Sequence, residues 1–279
     1  YAAQPSKLET TMNNTDQPAA AHGTGEWAAS NINVQAGCEH DCRYCYNKRM
    51  AIQFGRATPK SWASPVPNNA AINKDYQRRD GTLMFPSSHD ITPVNIEACL
   101  IVLRKLLSAG NKVLIVSKPH LECIQRICDE LVEYKAQILF RFTIGSADDS
   151  VLKLWEPDAP AFAERVACLR RVHELGFETS VSCEPMLDAN IDDVITAVEP
   201  HVTDAIWLGR ANRLRHTLAM TCPGDAEMRR RADKLISTWD NPAVKALYER
   251  YKHNPMIRWK DSVKKVVGLV RPAEKGLDI

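Results

Sequence analysis

The chain has 279 residues, of which 44% are hydrophobic and 25% are charged, and its formal net charge is +2. These fractions are typical of a globular protein and exclude a largely disordered or collagen-like chain. No apolar run approaches the roughly 20 residues that span a bilayer, so no membrane segment is predicted. Nine cysteines, an odd number with three crowded into one short segment, indicate reduced thiols in a cytoplasmic protein rather than a disulfide framework.

Residues 1–26 are polar and rich in alanine, and we expect them to form a flexible N-terminal arm. After this arm, short apolar segments that favour strands alternate with longer segments of helical period. The predicted strands cover residues 32–34, 82–85, 112–116, 138–143, 178–182 and 205–208. The predicted helices cover residues 93–109, 119–134, 161–175, 191–198, 226–239, 242–251 and 257–267.

This alternation predicts six strand–helix units and therefore an α/β protein with a parallel sheet. Six units are too few for a closed eight-fold barrel, which leaves a partial barrel or a doubly wound open sheet. In either fold, ligands bind at the carboxyl ends of the strands. The segments that directly follow each predicted strand are therefore the place to look for functional side chains.

The charge is unevenly distributed along the chain. Residues 210–279 contain 16 Lys and Arg against 8 Asp and Glu, whereas residues 1–209 contain 20 against 26. The basic residues that directly follow the sixth strand or lie on the next helix are Arg210, Arg213, Arg215, His216, Arg229, Arg230 and Arg231. A basic end of this kind is compatible with a polyanionic partner such as a nucleic acid. Solvated faces of amphipathic helices give the same composition.

Three cysteines follow the first predicted strand with the spacing C-x3-C-x2-C, namely Cys38, Cys42 and Cys45. Structural zinc sites use four ligands, commonly in two separated pairs, and the sequence has no second C-x2-C pair. Thiolates also bind iron–sulfur clusters, and three of them leave one iron of the cluster open to an external ligand. His40 is an alternative fourth ligand for zinc, although it lies inside the same tight loop.

This pattern, with Tyr44 beside the last cysteine, resembles the motif of the radical S-adenosylmethionine (SAM) superfamily. The resemblance implies a partial (β/α)6 TIM-like barrel and a [4Fe-4S] cluster held by the three cysteines, with SAM bound at the open iron. It also implies reductive cleavage of SAM to a 5′-deoxyadenosyl radical that abstracts hydrogen from a substrate. The electron would come from a donor such as flavodoxin or ferredoxin. Similarity to the spore photoproduct lyase-like, or DNA repair photolyase, branch rests on residues 37–46, 117–118 and 155–160, and on Arg165.

The resemblance divides the chain into the arm 1–26, the partial barrel 27–215 and a helical, basic C-terminal extension 216–279. The predicted substrate is a nucleic acid or a nucleotide, because the resembling branch acts on DNA and the extension is basic. One alternative is a radical SAM enzyme that acts on a peptide or a small metabolite. The other is a non-catalytic protein that uses the cysteines only to bind a metal.

The other strand ends supply candidate ligands of SAM. Ser87 and Asp90 offer acceptors for its ammonium group, although Asp90 or Thr92 can instead cap the following helix. Ser117 and Lys118 end the third strand, and the resemblance assigns Lys118 to the SAM carboxylate. Thr143 and Ser146 are candidates for the ribose, and Glu184 for the ribose or a substrate cation. Asn212 is the candidate for the adenine.

Two further predictions concern residues near these strand ends. Cys183 is the candidate that returns a hydrogen atom to a product radical, as a cysteine does in the lyase relatives, unless strand alternation turns it away from the mouth. Glu156 and Arg165 are expected to form a structural ion pair. The cysteines inside helical patterns are interpreted as small core residues, namely Cys99, Cys123, Cys128 and Cys168.

Overall fold

The computed structural model describes residues 23–272 and 274–276, so most of the predicted arm lies outside the described residues. The strands are β1 Ser30–Asn31, β2 Gln35–Ala36, β3 Val66–Pro67, β4 Thr82–Phe85, β5 Lys112–Ser117, β6 Ile138–Thr143, β7 Glu178–Cys183, β8 Ile206–Leu208 and β9 Ile257–Trp259. The α-helices are α1 Tyr46–Gln53, α2 Asn69–Asn73, α3 Ile96–Ser108, α4 Leu121–Leu131, α5 Asp149–Trp155, α6 Phe162–Glu174, α7 Ile191–Val198, α8 Leu214–Thr221, α9 Ala226–Thr238, α10 Asn241–Tyr251 and α11 Asp261–Val267. Within these ranges, no helix is long and apolar enough to cross a membrane.

Seven strands form one open parallel sheet in the order β1-β4-β5-β6-β7-β8-β9, and β2 pairs separately with β3. Helices connect the successive strands from β4 onwards, as parallel pairing requires. The α/β class and the open, partial-barrel arrangement predicted from the sequence are therefore confirmed. The carboxyl ends of all seven strands lie along one edge of the sheet.

Alternation along the strands separates two hydrophobic clusters. Val113 and Ile115 of β5 belong to the large cluster, together with helical residues such as Leu103. The intervening Leu114 belongs to a small cluster around Ala28 on the other face. Full burial of a side chain such as Leu103 contributes roughly 1.5–3 kcal/mol, so the large cluster supplies most of the hydrophobic stabilisation.

The structure corrects two predicted elements. The first strand lies at Ser30–Asn31 rather than at residues 32–34, although the backbone N–H of Ile32 continues its ladder to the Met84 carbonyl at 3.1 Å. Residues 257–267 are not wholly helical, because β9 precedes α11 and pairs with β8. An apolar segment of three residues carries no period that distinguishes a strand from a helix.

Through β9 the C-terminal region returns to the sheet and buries Lys260, which is 1% exposed. Its Nζ lies 2.8 Å from the carboxylate of Glu26 and 3.5 Å from that of Glu184. Gly209 leaves room for it, since a Cβ at that position would stand 2.9 Å from the Lys260 side chain. The predicted boundary at residue 26 falls at the end of the 3-10 helix Gly23–Glu26, whose last residue is buried.

Candidate functional site

The three motif cysteines lie on the loop that leads from β2 into α1. Cys38 and Cys42 are buried, and Cys45 is half-buried. Cys45 is the N-cap of α1, and its Sγ accepts a hydrogen bond from the backbone N–H of Lys48 at 3.3 Å. The amino end of a helix stabilises negative charge, so this position favours the thiolate form that metal binding needs.

Burial raises the pKa of the Cys38, Cys42 and Cys45 thiols. The charge of Lys118 acts in the opposite direction at all three, so its ammonium group lies within electrostatic reach of each sulfur. Coordination to iron would offset this burial penalty, because the positive charge of the metal stabilises the thiolate form. The donor set of three gathered thiols fits the iron–sulfur cluster that the motif implies.

His40 offers a test of the single-ion alternative. Ligand atoms of Cys38, His40 and Asp90 lie within 4.8 Å of one another, but Cys42 and Cys45 do not belong to that group. Both ring nitrogens of His40 have protein neighbours: Nδ1 lies 2.8 Å from Asp90 Oδ2, and Nε2 lies 2.8 Å from His120 Nε2. The predicted alternative, a zinc site of three cysteines and His40, is therefore not the arrangement in this structure.

Asp90 is the centre of a buried network between the ends of β4 and β5. Its Oδ1 accepts hydrogen bonds from the Lys118 backbone N–H at 2.8 Å and the Ser117 hydroxyl at 3.3 Å. Its Oδ2 pairs with Lys118 Nζ at 3.0 Å. Burial acts to raise the pKa of Asp90, but Lys118 and His40 outweigh it and hold the pKa well below its ordinary value. Burial likewise opposes the charge of Lys118, yet Asp90 keeps its pKa well above the usual range.

The alternative role of Asp90 or Thr92 as a helix cap is wrong. The helix begins at Ile96 with Asn95 as its N-cap, and Asn95 Oδ1 accepts from the Thr92 backbone N–H at 3.0 Å. The Asp90 carboxylate is therefore available to the site and not used by the helix. Ser87 lies beside it in the same segment, and its Oγ accepts from Asn33 Nδ2 at 3.1 Å.

The remaining predicted SAM ligands occupy different surroundings. The Tyr44 hydroxyl donates to the carboxylate of Glu156. Thr143 ends β6 at a half-buried position. The Ser146 hydroxyl is fully buried and donates to Asp188, so it is already engaged inside the protein.

Glu184 and Asn212 lie at the carboxyl ends of β7 and β8, which are later in the strand order than β4 and β5. Glu184 follows β7 and is 24% exposed beside Lys260. Asn212 is exposed in the loop between β8 and α8. The structure therefore gathers the cysteines, Asp90 and Lys118 closely, while these two residues stand at the ends of more distant strands.

Cys183 has no exposed surface and belongs to the large hydrophobic cluster with Val181, Phe142 and Leu208. Burial raises the pKa of its thiol. Strand alternation turns it to the helix side, which argues against the predicted role as a hydrogen-atom donor, because a donor must reach the product radical.

The predicted ion pair between Glu156 and Arg165 is confirmed. Arg165 Nη2 lies 2.6 Å from Glu156 Oε2, and neither side chain is exposed. Arg165 also donates to the carbonyls of Pro160 at 2.8 Å and Thr143 at 3.2 Å. The pair therefore ties α6 to the end of β6, beneath Tyr44 of the cysteine loop.

Sequence reasoning missed three contributors to this edge of the sheet. His120 contacts His40 across 80 positions of the chain, and Lys260 reaches Glu184 from the C-terminal region. Arg49 of α1 is buried beside His216. The position of His40 inside the cysteine motif was a sequence signal for the first of these contacts. The other two contacts join segments whose proximity no local sequence pattern indicates.

Comparison with known proteins identifies the family. The model of the radical SAM superfamily matches residues 32–200, so the chain belongs to this superfamily and is a radical SAM enzyme. An uncharacterized protein, ORF301, of Acidianus two-tailed virus is 30% identical over 199 residues, which cover 67% of this chain and 64% of that protein. The chain thus spans just under two thirds of this relative's length. An uncharacterized protein, MJ0683, of Methanocaldococcus jannaschii is 23% identical over 223 residues, covering 74% of this chain and 84% of that protein.

Among solved structures, spore photoproduct lyase complexed with dinucleoside spore photoproduct superposes with a TM-score of 0.52 and 14% sequence identity. The match covers 82% of this chain and 75% of that chain. At this identity the likeness concerns the fold, and it agrees with the resemblance that the motif indicated. Membership of the superfamily implies SAM, an iron–sulfur cluster and an electron donor.

Proposed function

We propose that Cys38, Cys42 and Cys45 hold a [4Fe-4S] cluster, that SAM binds beside it, and that the enzyme acts on a nucleic acid or a nucleotide. When bound, the cluster supplies the electron that cleaves SAM to methionine and a 5′-deoxyadenosyl radical. The chain itself gathers three thiols on one loop and places buried, oppositely charged groups next to them.

The observation that carries the proposal is the position of the Asp90–Lys118 pair. The two side chains interact at 3.0 Å and the charge of Lys118 acts on all three thiols. The amino acid end of SAM carries an ammonium and a carboxylate. Bound SAM can replace the Asp90–Lys118 ion pair with two ion pairs of its own: the SAM carboxylate pairs with Lys118, and the SAM ammonium group pairs with Asp90. Tyr44, Ser87, Ser117, Thr143, Ser146, Glu184 and Asn212 remain proposed contacts of SAM.

A nucleic acid or nucleotide substrate is supported by the basic region after β8. Its first arginines follow the carboxyl end of β8, so a bound phosphate there would lie along the same edge of the sheet as the Asp90–Lys118 pair. Phosphate contacts by Arg and Lys dominate the affinity of proteins for nucleic acids.

The test is anaerobic reconstitution of two matched variants. Cys42→Ala should lose most of its iron and sulfide and all detectable SAM cleavage, because the cluster loses one of three thiolates. Cys222→Ala, a half-buried free cysteine outside the motif, should keep both. Full iron, full sulfide and full SAM cleavage in Cys42→Ala would refute the proposed ligand set.

A further inference from the structure

A cleft of about 490 Å³ opens between the segment that follows β8 and the last turn of α9. One wall is formed by residues 210–216, and the other by Leu235, Ile236 and Trp239. None of the lining residues is acidic. The cleft therefore has one basic, polar wall and one apolar wall.

The basic wall holds positive charges that carboxylates do not balance. The guanidinium of Arg210 donates to the Trp239 carbonyl at 3.2 Å and to Asn241 Oδ1 at 2.9 Å, which are both uncharged acceptors. Arg213 has no side-chain partner within the described residues. Arg215 differs, because it pairs with Asp233 at 2.6 Å. Two uncompensated guanidinium groups therefore border the same cavity.

A third cation lies directly behind this wall. Arg49 of α1 is 4% exposed, and its Nη1 contacts His216 Nε2 at 3.3 Å. Its other described neighbours are the Gln53 amide oxygen, the Met50 sulfur and the Tyr46 ring, whose centroid lies 4.9 Å from the guanidinium carbon, and its Nε has no hydrogen-bond partner in the described part of the chain. A buried guanidinium without a carboxylate is costly, and an anion in the cleft would offset that cost.

The backbone adds to this preference. Arg213 is the N-cap of α8 at φ +50°, and its side chain does not cap the helix. The first N–H groups of α8 therefore begin at the cleft, at the end of the helix that attracts anions. Arg213 at this strained φ marks a turn that directs the start of α8 toward the cavity.

We infer that this cleft binds one nucleotide unit of the nucleic-acid substrate, through the phosphate group of that nucleotide. Arginine pairs with phosphate through two parallel hydrogen bonds. The apolar wall offers Leu235, Ile236 and the Trp239 ring, which is fixed by a hydrogen bond from its Nε1 to the Asp188 carbonyl at 3.0 Å. A sugar or base can pack on that wall while its phosphate faces the arginines.

The inference rests on the proposed function and adds to it which basic residues bind the substrate phosphate. It distinguishes the arginines of the cleft from those at the start of α9. Arg230 and Arg231 both pair with Glu227, at 2.5 Å and 2.8 Å, so part of their charge is already balanced. Phosphate recognition is assigned to Arg210 and Arg213 and not to the start of α9. The cleft is also tied to the cysteine loop, because the Thr221 hydroxyl of α8 donates to the Arg43 carbonyl at 2.6 Å.

The experiment measures binding of a fluorescent single-stranded thymidylate 12-mer to the reconstituted enzyme at several salt concentrations. Replacing both cleft arginines, Arg210→Gln with Arg213→Gln, should weaken binding at low salt by about tenfold or more. The slope of log affinity on log salt should fall by about 1.4, for two lost phosphate contacts. Arg213→Gln alone removes no described contact, so it should fold normally and lower the slope by about 0.7. The matched control, Arg230→Gln with Arg231→Gln, removes the same charge outside the cleft, where both guanidinium groups already pair with Glu227, and should weaken binding less than about twofold.

Competition identifies the ligand chemistry. Thymidine 5′-monophosphate should displace the 12-mer, whereas thymidine, which lacks a phosphate, should not. Equal weakening by the control pair or equal displacement by thymidine would overturn the assignment. So would an absence of binding by the wild type at low salt when its iron content and SAM cleavage are intact. Iron, sulfide and SAM cleavage are measured in the same preparations, so a failure of the proposed function is distinguished from a failure of the cleft.

Discussion

The cysteine side of the site and the arginine cleft handle charge in opposite ways. Beside the cysteines, Asp90 pairs with Lys118 at 3.0 Å, and Glu156 pairs with Arg165 at 2.6 Å without exposure to solvent. In the cleft, Arg210 and Arg213 border a cavity with no acidic lining residue. The first region is held together by its own ion pairs before any ligand arrives, whereas the second has two guanidinium groups that no carboxylate of the described residues balances. One region is built for rigid positioning and the other for attraction.

The largest expected effect tests that contrast through protein stability. Arg165→Met leaves the Glu156 carboxylate buried without its cationic partner, so the free energy of unfolding should fall by about 3–5 kcal/mol. Arg213→Met removes an arginine of the cleft with no described partner, so the change should stay within about 0.5 kcal/mol. Urea denaturation of the reconstituted proteins, followed anaerobically by circular dichroism, gives both values. Similar losses in the two variants would remove the distinction between the regions.

A smaller effect concerns SAM affinity. If the Lys118 ammonium pairs with the SAM carboxylate in a largely buried site, Lys118→Ala should weaken SAM binding by about 1–3 kcal/mol, or roughly 5- to 150-fold. Lys112→Ala removes an exposed lysine from the other end of β5 and serves as the matched control. Equilibrium dialysis with the cluster intact measures the two dissociation constants. Equal affinities would make Lys118 a structural partner of Asp90 only.

The two regions also differ in how far the sequence predicted them. The cysteine loop depends on three residues within one short segment, and β4 and β6 are short, mainly apolar runs, so local signals sufficed for both. The predicted bounds of β4 and β6 agree with the structure, at Thr82–Phe85 and Ile138–Thr143. The ion pair of Glu156 with Arg165 was also predictable, because the two side chains flank one short connection.

The other side depends on contacts between distant segments. β9 is only three residues long and becomes a strand because β8 offers an open edge. Lys260 can enter the protein only because Gly209 has no side chain and because Glu26 and Glu184 balance its charge. Cys183 was placed near the predicted mouth by its position at a strand end, but a shift of one residue along a strand reverses the face. The arginines of the cleft were visible in the sequence, whereas the apolar wall opposite them was not.

The most direct test of the account is the detection of 5′-deoxyadenosine. Protein reconstituted anaerobically with iron and sulfide, then supplied with SAM and a strong reductant, should form 5′-deoxyadenosine and methionine in equal amounts. Omitting the reductant, or using Cys42→Ala, should abolish both products. If the wild type carries a full [4Fe-4S] complement and binds SAM but yields no 5′-deoxyadenosine, alone or with a single-stranded oligonucleotide, the proposed reaction is contradicted.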